Sequence, residues 1–309
     1  MIDVEQAQAV ARSIVEAALG ADPGRMGQVP SASHQVFVGS TVVVKIVDAI
    51  EHTRLDREIA LALDLPVGLS APVLAHGRYP TGGGDVRYAC LARAPGASPG
   101  MGLAGVDRPT AREWAYQAVH QLQRLHEWTP SGPTAAVLAE PLDHGGFVGR
   151  PQLLEEIEIV RALDREETVP RKVIDSLLKI ADRSPEHIEQ VVPVHADCHW
   201  GNWLVHDTSV TALLDFEWAR FGEPAEDWMF LSRFSGPHMQ TVLNVIADLT
   251  ATPLETLRAA CEVREAAYVI SDLRLKLQDP ARHAPPPTAR NIGELEEIII
   301  GRSWWQPER

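Results

Sequence analysis

Asp197, Asn202 and Asp215 are the residues whose types and spacing point most directly to chemistry. They follow the apolar segment 191–194, with Asn202 five residues after Asp197 and Asp215 thirteen residues further on. An aspartate can accept the proton of an incoming hydroxyl, and carboxylate and amide oxygens are ligands for Mg²⁺ beside nucleotide phosphates. The pattern predicts a phosphoryl-transfer site with Asp197 as the base and Asn202 and Asp215 as metal ligands.

A short β-hairpin is predicted between the two metal ligands. Residues 203–205 and 210–214 are apolar and rich in β-branched side chains, and the polar stretch 206–209 separates them. Such a hairpin carries Asn202 and Asp215 back toward each other. The two ligands are therefore expected to share one metal site.

A candidate phosphate-binding pair lies upstream of this motif. Lys45 ends the β-branched run of a predicted strand at residues 41–47, and Glu58 lies off the apolar face of the helix that follows. In protein kinases a strand lysine and a helix glutamate occur in this order, and the lysine binds the α- and β-phosphates. Taken alone, Lys45 is more typical of an ordinary strand-edge lysine, and it is the following Glu58 that favours the phosphate-binding role.

Two further segments are candidates for contacts with a nucleotide. Ser31, Ser33 and His34 lie in a turn between predicted strands and are expected to cover the phosphates with backbone N–H groups and hydroxyls, although the chain has no G-x-G-x-x-G pattern there. After a second strand pair at residues 73–76 and 85–91, a stretch rich in Gly, Pro and Ala runs to residue 105. It is interpreted as a crossover between two lobes or as a plain linker.

The rest of the chain is predicted to be mostly helical. Thr110 begins a capping-box pattern before an apolar stripe that ends near His126, which is interpreted as a packed histidine. Residues 132–149 are predicted to be a loop bordering a cleft, and Ser184 is predicted to start a short helix. The remaining predicted helices cover residues 151–163, 170–181, 236–251, 253–278 and 291–305.

Composition and charge limit the function classes. The 309 residues are 45% hydrophobic, which fits one large or two ordinary domains with a buried core. An acidic start and the lack of an apolar run of about 18 residues predict a cytoplasmic protein with no membrane partner. Three scattered cysteines predict reduced thiols. The net charge of −14 argues against nucleic acid and favours a cationic substrate, although acidity also serves solubility.

The motif residues together resemble a known family. His195-Ala-Asp-Cys-His-Trp-Gly-Asn-Trp-Leu-Val, followed by Leu-Leu-Asp215-Phe-Glu-Trp, is similar to the aminoglycoside phosphotransferase and choline kinase superfamily over roughly residues 27–230. The resemblance implies an α+β, bilobal protein-kinase-like fold. Residues 1–93 would form a small N-lobe with an antiparallel sheet and one main helix, residues 94–105 the crossover, and residues 106–309 a larger, mostly helical C-lobe with the catalytic loop and a short hairpin.

The same resemblance implies roles for individual residues. Asp197 would be the catalytic base, Asn202 and Asp215 would hold Mg²⁺, and Lys45 would bind the phosphates of ATP or GTP with Glu58 as its orienting partner. Backbone groups of the crossover would bond the nucleotide base, and this assignment covers Ala92, Arg93 and Ala94.

Four more positions follow from the resemblance. Glu217 stands where protein kinases have the glycine of Asp-Phe-Gly and would add to the metal ligands. His195 would fix the catalytic loop, and Asp227 would anchor it from the following helix. Ala196 departs from the family, whose members usually have glycine at this position.

The implied activity is that of a small-molecule kinase. It would transfer the γ-phosphate of ATP or GTP to a hydroxyl of a cationic substrate, such as an aminoglycoside or related antibiotic, and Glu262, Glu265 and Asp272 are candidates to meet that cation. The alternatives are a kinase for choline, an amino-alcohol or a sugar, and a pseudokinase that only binds nucleotide. A zinc site at His195 and His199 is disfavoured because Gly201-Asn202 would interrupt a metal-binding helix.

Overall fold

A five-stranded antiparallel sheet forms from the N-terminal residues of the described chain. The computed structural model describes residues 4–31, 33–49, 54–142, 144–279, 292–293 and 295–306. The sheet has the order β1-β2-β3-β5-β4, with strands β1 (Gly27–Val29), β2 (Gln35–Val38), β3 (Val42–Asp48), β4 (Val73–Thr81) and β5 (Gly84–Ala92). The β-branched run and the tight turns therefore fold into an antiparallel sheet.

Two helices cover opposite faces of this sheet. Helix α1 (Val4–Leu19) packs Ala11 and Ile14 against Val44 and Ile46 of β3. Helix α2 (Arg54–Ala62) packs Leu55 and Ile59 against the other face, where Ala89 of β5 is buried. Side chains alternate along a strand, and Val44 and Ile46 face α1. Lys45, which lies between them in the sequence, therefore faces α2 and pairs with Ala89 of β5.

The chain leaves the sheet through the segment predicted to be the crossover. The amide of Arg93 donates to the carbonyl of Thr41, and Ala97 pairs with Val205 of the later hairpin through two backbone hydrogen bonds of 3.0 and 2.9 Å. Gly96 between them has φ +104°, a conformation that L side chains rarely adopt. The segment is thus fixed to both the sheet and the hairpin, while its role as a lobe boundary stays a prediction.

Replacing Gly96 by alanine is expected to destabilise the protein by about 2 kcal/mol or more, because the new Cβ would overlap the backbone carbonyl of Val205 in addition to the φ penalty. Chemical denaturation measures this change. Gly100→Ala is the matched control, since Gly100 also has positive φ but its Cβ would meet nothing within 4 Å. Its expected cost is only about 1 kcal/mol, and equal losses in the two variants would refute the contact argument.

The described residues after the crossover form a mostly helical part with short strands. A large core joins Trp200, Trp203 and Phe216 to α3 and α8, so the loop that carries the motif rests on packed tryptophans. The helices are α3 (Arg108–His126), α4 (Gly132–Ala139), α5 (Arg150–Leu163), α6 (Arg171–Arg183), α7 (Pro224–Arg233), α8 (Met239–Thr250) and α9 (Leu254–Gln278). The strands are β6 (Val192–Val194), β7 (Trp203–His206), β8 (Ser209–Leu213) and β9 (Arg220–Gly222).

Three local predictions were wrong, and a fourth, the helix at residues 291–305, holds only in part, since residues 292–293 and 295 are α-helical. The N-cap of α3 is Asp107, whose side chain accepts from the amide of Thr110, because a carboxylate three residues earlier outcompetes the threonine. Residues 132–149 include helix α4 rather than one loop, and Ser184 ends α6 instead of starting a helix. The described part of residues 291–305 contains a π-helical turn (Glu296–Ile300) and a 3₁₀ turn (Ser303–Trp305); residues 291 and 294 lie outside the description.

The predicted fold class is confirmed. An antiparallel sheet precedes a helical region, and the hairpin of β7 and β8 pairs Trp203 with Leu213 as expected from its two apolar segments. Among the helices of the described residues, none combines the length and apolarity needed to cross a membrane.

Candidate active site

Asp227 fixes the loop that follows strand β6. It lies at the start of α7, is fully buried, and accepts hydrogen bonds from the amides of His195 at 3.0 Å and Ala196 at 2.8 Å. Its Oδ2 also lies 2.9 Å from Nε2 of His126 at the end of α3. Burial alone would raise the pKa of Asp227, but His126 and the backbone donors lower it overall, so the carboxylate stays charged.

His195 spans the loop and the hairpin. Its Nδ1 accepts from the amide of Asp197 at 3.2 Å, so Nε2 carries the proton and donates to the carbonyl of Leu214 at 2.9 Å. Burial lowers the pKa of His195, which keeps this neutral tautomer. Since both ring nitrogens are used within the chain, His195 has no nitrogen to offer to zinc.

Ala196 adopts the left-handed conformation, with φ +61°. This region favours glycine, which is the residue that the resembled family usually has here. Two features hold Ala196 in this conformation: its backbone amide donates a hydrogen bond to Asp227, and the residue is buried, with 5% of its surface exposed. The loop therefore keeps the geometry that the departure from the family had put at risk.

Asp197 and Asn202 lie side by side. The amide nitrogen Nδ2 of Asn202 donates to the backbone carbonyl of Asp197 at 2.8 Å and to its Oδ2 at 3.1 Å. Burial, followed by the nearby charge of Asp215, raises the pKa of Asp197 to about 7. A carboxylate with a pKa in this range is suited to accept a proton near neutral pH.

The hairpin brings Asp215 to the same place. The amide of Leu214 donates to the carbonyl of Asn202 at 2.8 Å, which closes the loop as the sequence predicted. Asp215 itself has φ +70°, a conformation that aspartate tolerates better than most residues. Its carboxylate is thereby turned toward the N-terminal sheet.

Lys45 joins this carboxylate to helix α2. Its Nζ lies 2.8 and 2.7 Å from the two carboxylate oxygens of Glu58 and 2.9 Å from Oδ1 of Asp215. Burial alone would lower the pKa of Lys45, but the carboxylates of Glu58 and Asp215 raise it overall. Burial alone would raise the pKa of Asp215, but the charge of Lys45 and its hydrogen bond lower it overall. The structure thus brings together three residues that are far apart in sequence.

Glu217 and His34 complete a group of possible metal ligands. Within the described residues, ligand atoms of His34, Asp215 and Glu217 lie within 4.8 Å of one another. Glu217 is 4% exposed, its Oε2 is buried with no hydrogen-bond partner there, and burial and Asp215 raise its pKa to about 7. An unpartnered buried carboxylate oxygen beside a second carboxylate fits a divalent cation.

His34 was predicted to lie over the phosphates, and its place beside Glu217 was not foreseen. Burial, assisted by Lys45, lowers the pKa of His34 to about 4, so the ring is neutral. Ser31 Oγ accepts from the amide of His34 at 3.4 Å, and Ser33 Oγ lies 2.8 Å from its Nδ1. The two serine hydroxyls therefore support the histidine, and their contact with phosphates stays a prediction.

The crossover amides are only partly open to a nucleotide base. The amide of Ala92 donates to the carbonyl of Pro72 at 2.8 Å and that of Arg93 to Thr41 at 2.9 Å. The sheet already uses these two amides, so contact of Ala92 and Arg93 with a nucleotide base through their other backbone groups stays a prediction. Within the described chain the amide of Ala94 has no such partner, so it stays the candidate donor.

A cavity of about 280 Å³ is lined by residues of α7 and α9, with Phe234 just after α7. The ring centroid of Phe234, in the cavity wall, lies 5.8 Å from that of His199 in the catalytic loop. Tyr268 also lines the wall, and burial together with the charges of Asp272 and Asp197 raises its pKa to about 12. The remaining lining is Met229, Arg233, Glu265, Val269, Leu273, Lys276, Leu295 and Ile298, together with Asp272. Its aromatic and charged lining near His199 makes this cavity a candidate acceptor pocket.

The three acidic residues expected to meet a cationic substrate already have cationic partners. Glu262 pairs with Arg183 at 3.3 Å, Glu265 with Arg233 at 2.7 Å, and Asp272 with Lys276 at 2.7 Å. The periodicity of α9 could not reveal these partners, which include residues from other helices. These ion pairs reduce the charge that the three carboxylates offer, and their contact with a cationic substrate stays a prediction.

Arg57 is a positioning residue that sequence reasoning left without a role. It is 3% exposed and donates from Nε at 3.0 Å and from Nη2 at 2.6 Å to the carbonyl of Ala219, just after Glu217. The bond ties α2, which carries Glu58, to the segment that carries the metal-ligand candidates. The available signal was an arginine next to Glu58 among the apolar residues of a short helix.

A sequence model of the phosphotransferase enzyme family matches residues 28–260 of the chain. Among curated proteins, none matches the chain in sequence. The fold is similar to that of several solved structures. The GDP complex of wild-type aminoglycoside 2'-phosphotransferase-IIIa has a TM-score of 0.72 and 13% identity, covering 97% of this chain and 98% of that one.

Two further structures show the same likeness. The GDP and kanamycin complex of APH(2")-IIia has a TM-score of 0.69 and 14% identity, covering 94% of this chain and 97% of that one. The macrolide 2'-phosphotransferase of Brachybacterium faecium has a TM-score of 0.62 and 15% identity, covering 98% and 99%. At these identities the likeness establishes a shared fold.

Proposed function

Because the chain belongs to the phosphotransferase enzyme family, we propose that it transfers the γ-phosphate of ATP or GTP to a hydroxyl group of a small molecule. The observation that carries this proposal is the convergence of Lys45, Asp215 and Asp197. A cation for phosphates, a carboxylate for a metal and a base with a pKa near 7 meet at one place. Phosphoryl transfer needs this combination because it relies on positioning and on charge stabilisation.

The residues divide the work as follows. Lys45, oriented by Glu58, binds phosphate oxygens, and Asp197 orients the acceptor hydroxyl and takes its proton on a carboxylate oxygen. Asn202 holds the side chain of Asp197 through its Nδ2, while its own oxygen and the carboxylates of Asp215 and Glu217 would hold Mg²⁺. When bound, Mg²⁺ neutralises charge on the phosphate oxygens. His195 and Asp227 keep the loop in this geometry.

The acceptor that we propose is an aminoglycoside or a related antibiotic. Similar structures include a complex of APH(2")-IIa with streptomycin and ATP and a macrolide 2'-phosphotransferase. The net charge of −14 also favours the approach of a cation over long range. Within the cavity beside the loop, however, carboxylates are matched by Arg233 and Lys276, so the charge of the whole chain is the main argument for a cationic acceptor.

The test is a transfer assay over a panel of acceptors with ATP and with GTP. The panel contains aminoglycosides, macrolides, peptide antibiotics, choline and amino sugars, and product is identified by mass spectrometry as the acceptor bearing one phosphoryl group. Turnover of an antibiotic supports the proposal. Selective turnover of choline or of a neutral sugar would replace the antibiotic by a metabolite, and nucleotide binding without any transfer would indicate a pseudokinase.

A further inference from the structure

We propose that His34 is a direct ligand of the divalent cation, together with Asp215 and Glu217, and that the site binds Mn²⁺ more tightly than Mg²⁺. The inference rests on the proposed function, which needs a divalent cation at Asp215. It adds an imidazole nitrogen from the turn between β1 and β2 to ligands that otherwise come from the segment after β8. The consequence is a cation site that prefers transition metals.

The distances suit one ion. Nδ1 of His34 lies 3.7 Å from Oε2 of Glu217, and one ligand atom from each of His34, Asp215 and Glu217 lies within 4.8 Å of the others. Two ligands on one ion with bonds of about 2.1 Å stand at most about 4.2 Å apart. Only one pair can be trans, and cis ligands stand about 3 Å apart, so side-chain movements of roughly 0.5–1 Å would bring all three atoms into one coordination sphere.

Carboxylate oxygens of Glu217 and Asp215 in this group can still accept a ligand. Oε2 of Glu217 is buried and has no hydrogen-bond partner among the described residues, while its Oε1 is 3.8 Å from Nη1 of Arg54. Only Oδ1 of Asp215 is engaged by Lys45, whose other contacts go to Glu58. An orphaned buried acceptor is costly unless a ligand or ion satisfies it.

His34 is held in place as a ligand would be. Its side chain is 2% exposed, its amide bonds to Ser31 Oγ, and Ser33 Oγ lies at its ring. Ser33 Oγ lies 2.8 Å from the same Nδ1 that faces Glu217, so a cation bound at Nδ1 would replace this hydrogen bond. The position is also one from which a bound ion would hold the turn against the nucleotide.

The ligand set determines which ion is preferred. Mg²⁺ favours oxygen ligands in a strict octahedron, whereas an imidazole nitrogen raises the affinity for first-row transition ions. Mn²⁺ accepts both carboxylate and imidazole, so a site with two carboxylates and one histidine suits it. Oxygen-only coordination at Asp215 and Asn202 would lack this contribution from nitrogen.

The experiment is pulsed electron paramagnetic resonance of Mn²⁺ bound to the protein with ADP. We expect a hyperfine coupling from a nitrogen bound directly to Mn²⁺ in the wild type. Labelling of histidine with a nitrogen isotope should shift this coupling, and the coupling should disappear in His34→Gln and His34→Ser. The affinity for Mn²⁺ should fall about tenfold or more in both variants, and that for Mg²⁺ much less. His206→Gln, on the exposed hairpin turn, is the control and should leave signal and affinity unchanged.

The outcomes separate this inference from the proposed function. Absence of bound nitrogen in the wild type, or equal Mn²⁺ affinity in His34→Gln, overturns the role of His34. If Asp215→Asn nevertheless abolishes Mn²⁺ binding, the divalent site of the proposed function stands without the histidine. If Mn²⁺ binds with equal affinity in both Asp215→Asn and the wild type, the cation site itself is wrong. Circular dichroism of the metal-free variants establishes that each is folded.

Discussion

Asp197→Asn is expected to lose phosphoryl transfer and at the same time to become harder to unfold. A positioned base contributes roughly 100- to 10,000-fold to a rate, so kcat should fall within that range. Asparagine keeps the size of the side chain and can still meet Asn202. It removes a buried charge that lies near Asp215 and Glu217. Loss of activity with gain of stability is the signature of a residue kept for chemistry.

The sign of the stability change follows from the pKa of Asp197. Folding raises that pKa from 3.8 to about 7, so between these values the folded protein binds more protons than the unfolded chain. The contribution of Asp197 to the free energy of unfolding is therefore fully present below about pH 4 and is lost as the pH rises through about 7. At pH 8 the removal of the charge should raise the free energy of unfolding by about 1–3 kcal/mol.

Two measurements check this expectation. In denaturation of the metal-free proteins, Asp197→Asn should be more stable than the wild type at pH 8 and equally stable at pH 4. The wild-type kcat/KM should rise with pH through the region near 7, because the base must be ionised. Asp207→Asn on the exposed hairpin turn is the matched control and should change neither quantity. Full activity of Asp197→Asn would contradict the assignment of the base.

Asp227→Ala is expected to cause the largest loss of stability. The substitution leaves the amides of His195 and Ala196 and the ring of His126 without their buried acceptor. Breaking a buried, charged hydrogen-bond network of this kind costs about 3–5 kcal/mol. Because the amides belong to the loop that ends at Asp197, activity should fall as well, even under conditions where the variant is folded.

Controls separate the network from a general effect of losing an aspartate. Asp248→Ala, on the exposed side of α8, should change the free energy of unfolding by less than about 0.5 kcal/mol. Donors lower the pKa of Asp227, so its stabilisation is present above pH 4 and should shrink as the pH falls further. A cost below about 1 kcal/mol at pH 7, measured by denaturation, would mean that Asp227 does not anchor the loop.

The catalytic half of the site was predictable because its geometry is local. Asp197, Asn202 and Asp215 are joined by one loop and one hairpin, whose strands follow from two apolar segments and the polar turn between them. The pairing of Lys45 with Glu58 was also predictable, since a strand and the next helix bring them together. These residues meet in the structure as their order in the sequence indicated.

The missed features depend on contacts between distant segments. The position of His34 is set by where the turn after β1 meets Glu217, some 180 residues later in the sequence, and no periodicity reports such an approach. The partners of Glu262 and Glu265 come from helices α6 and α7, so a helix stripe could not reveal that these carboxylates are neutralised. The hydrogen bonds of the Ala92 and Arg93 amides depend on the register of the sheet, which the sequence does not reveal.

The most direct test of the proposed activity is a single-turnover experiment with nucleotide labelled at the γ-phosphate. Excess wild-type protein, a divalent cation and the best acceptor of the panel should move the label onto a hydroxyl of the acceptor. The same mixture with Asp197→Asn should retain nearly all the label on the nucleotide, although the nucleotide still binds. Equal transfer by both proteins, or binding of nucleotide by the wild type with no transfer to any acceptor, would contradict the account.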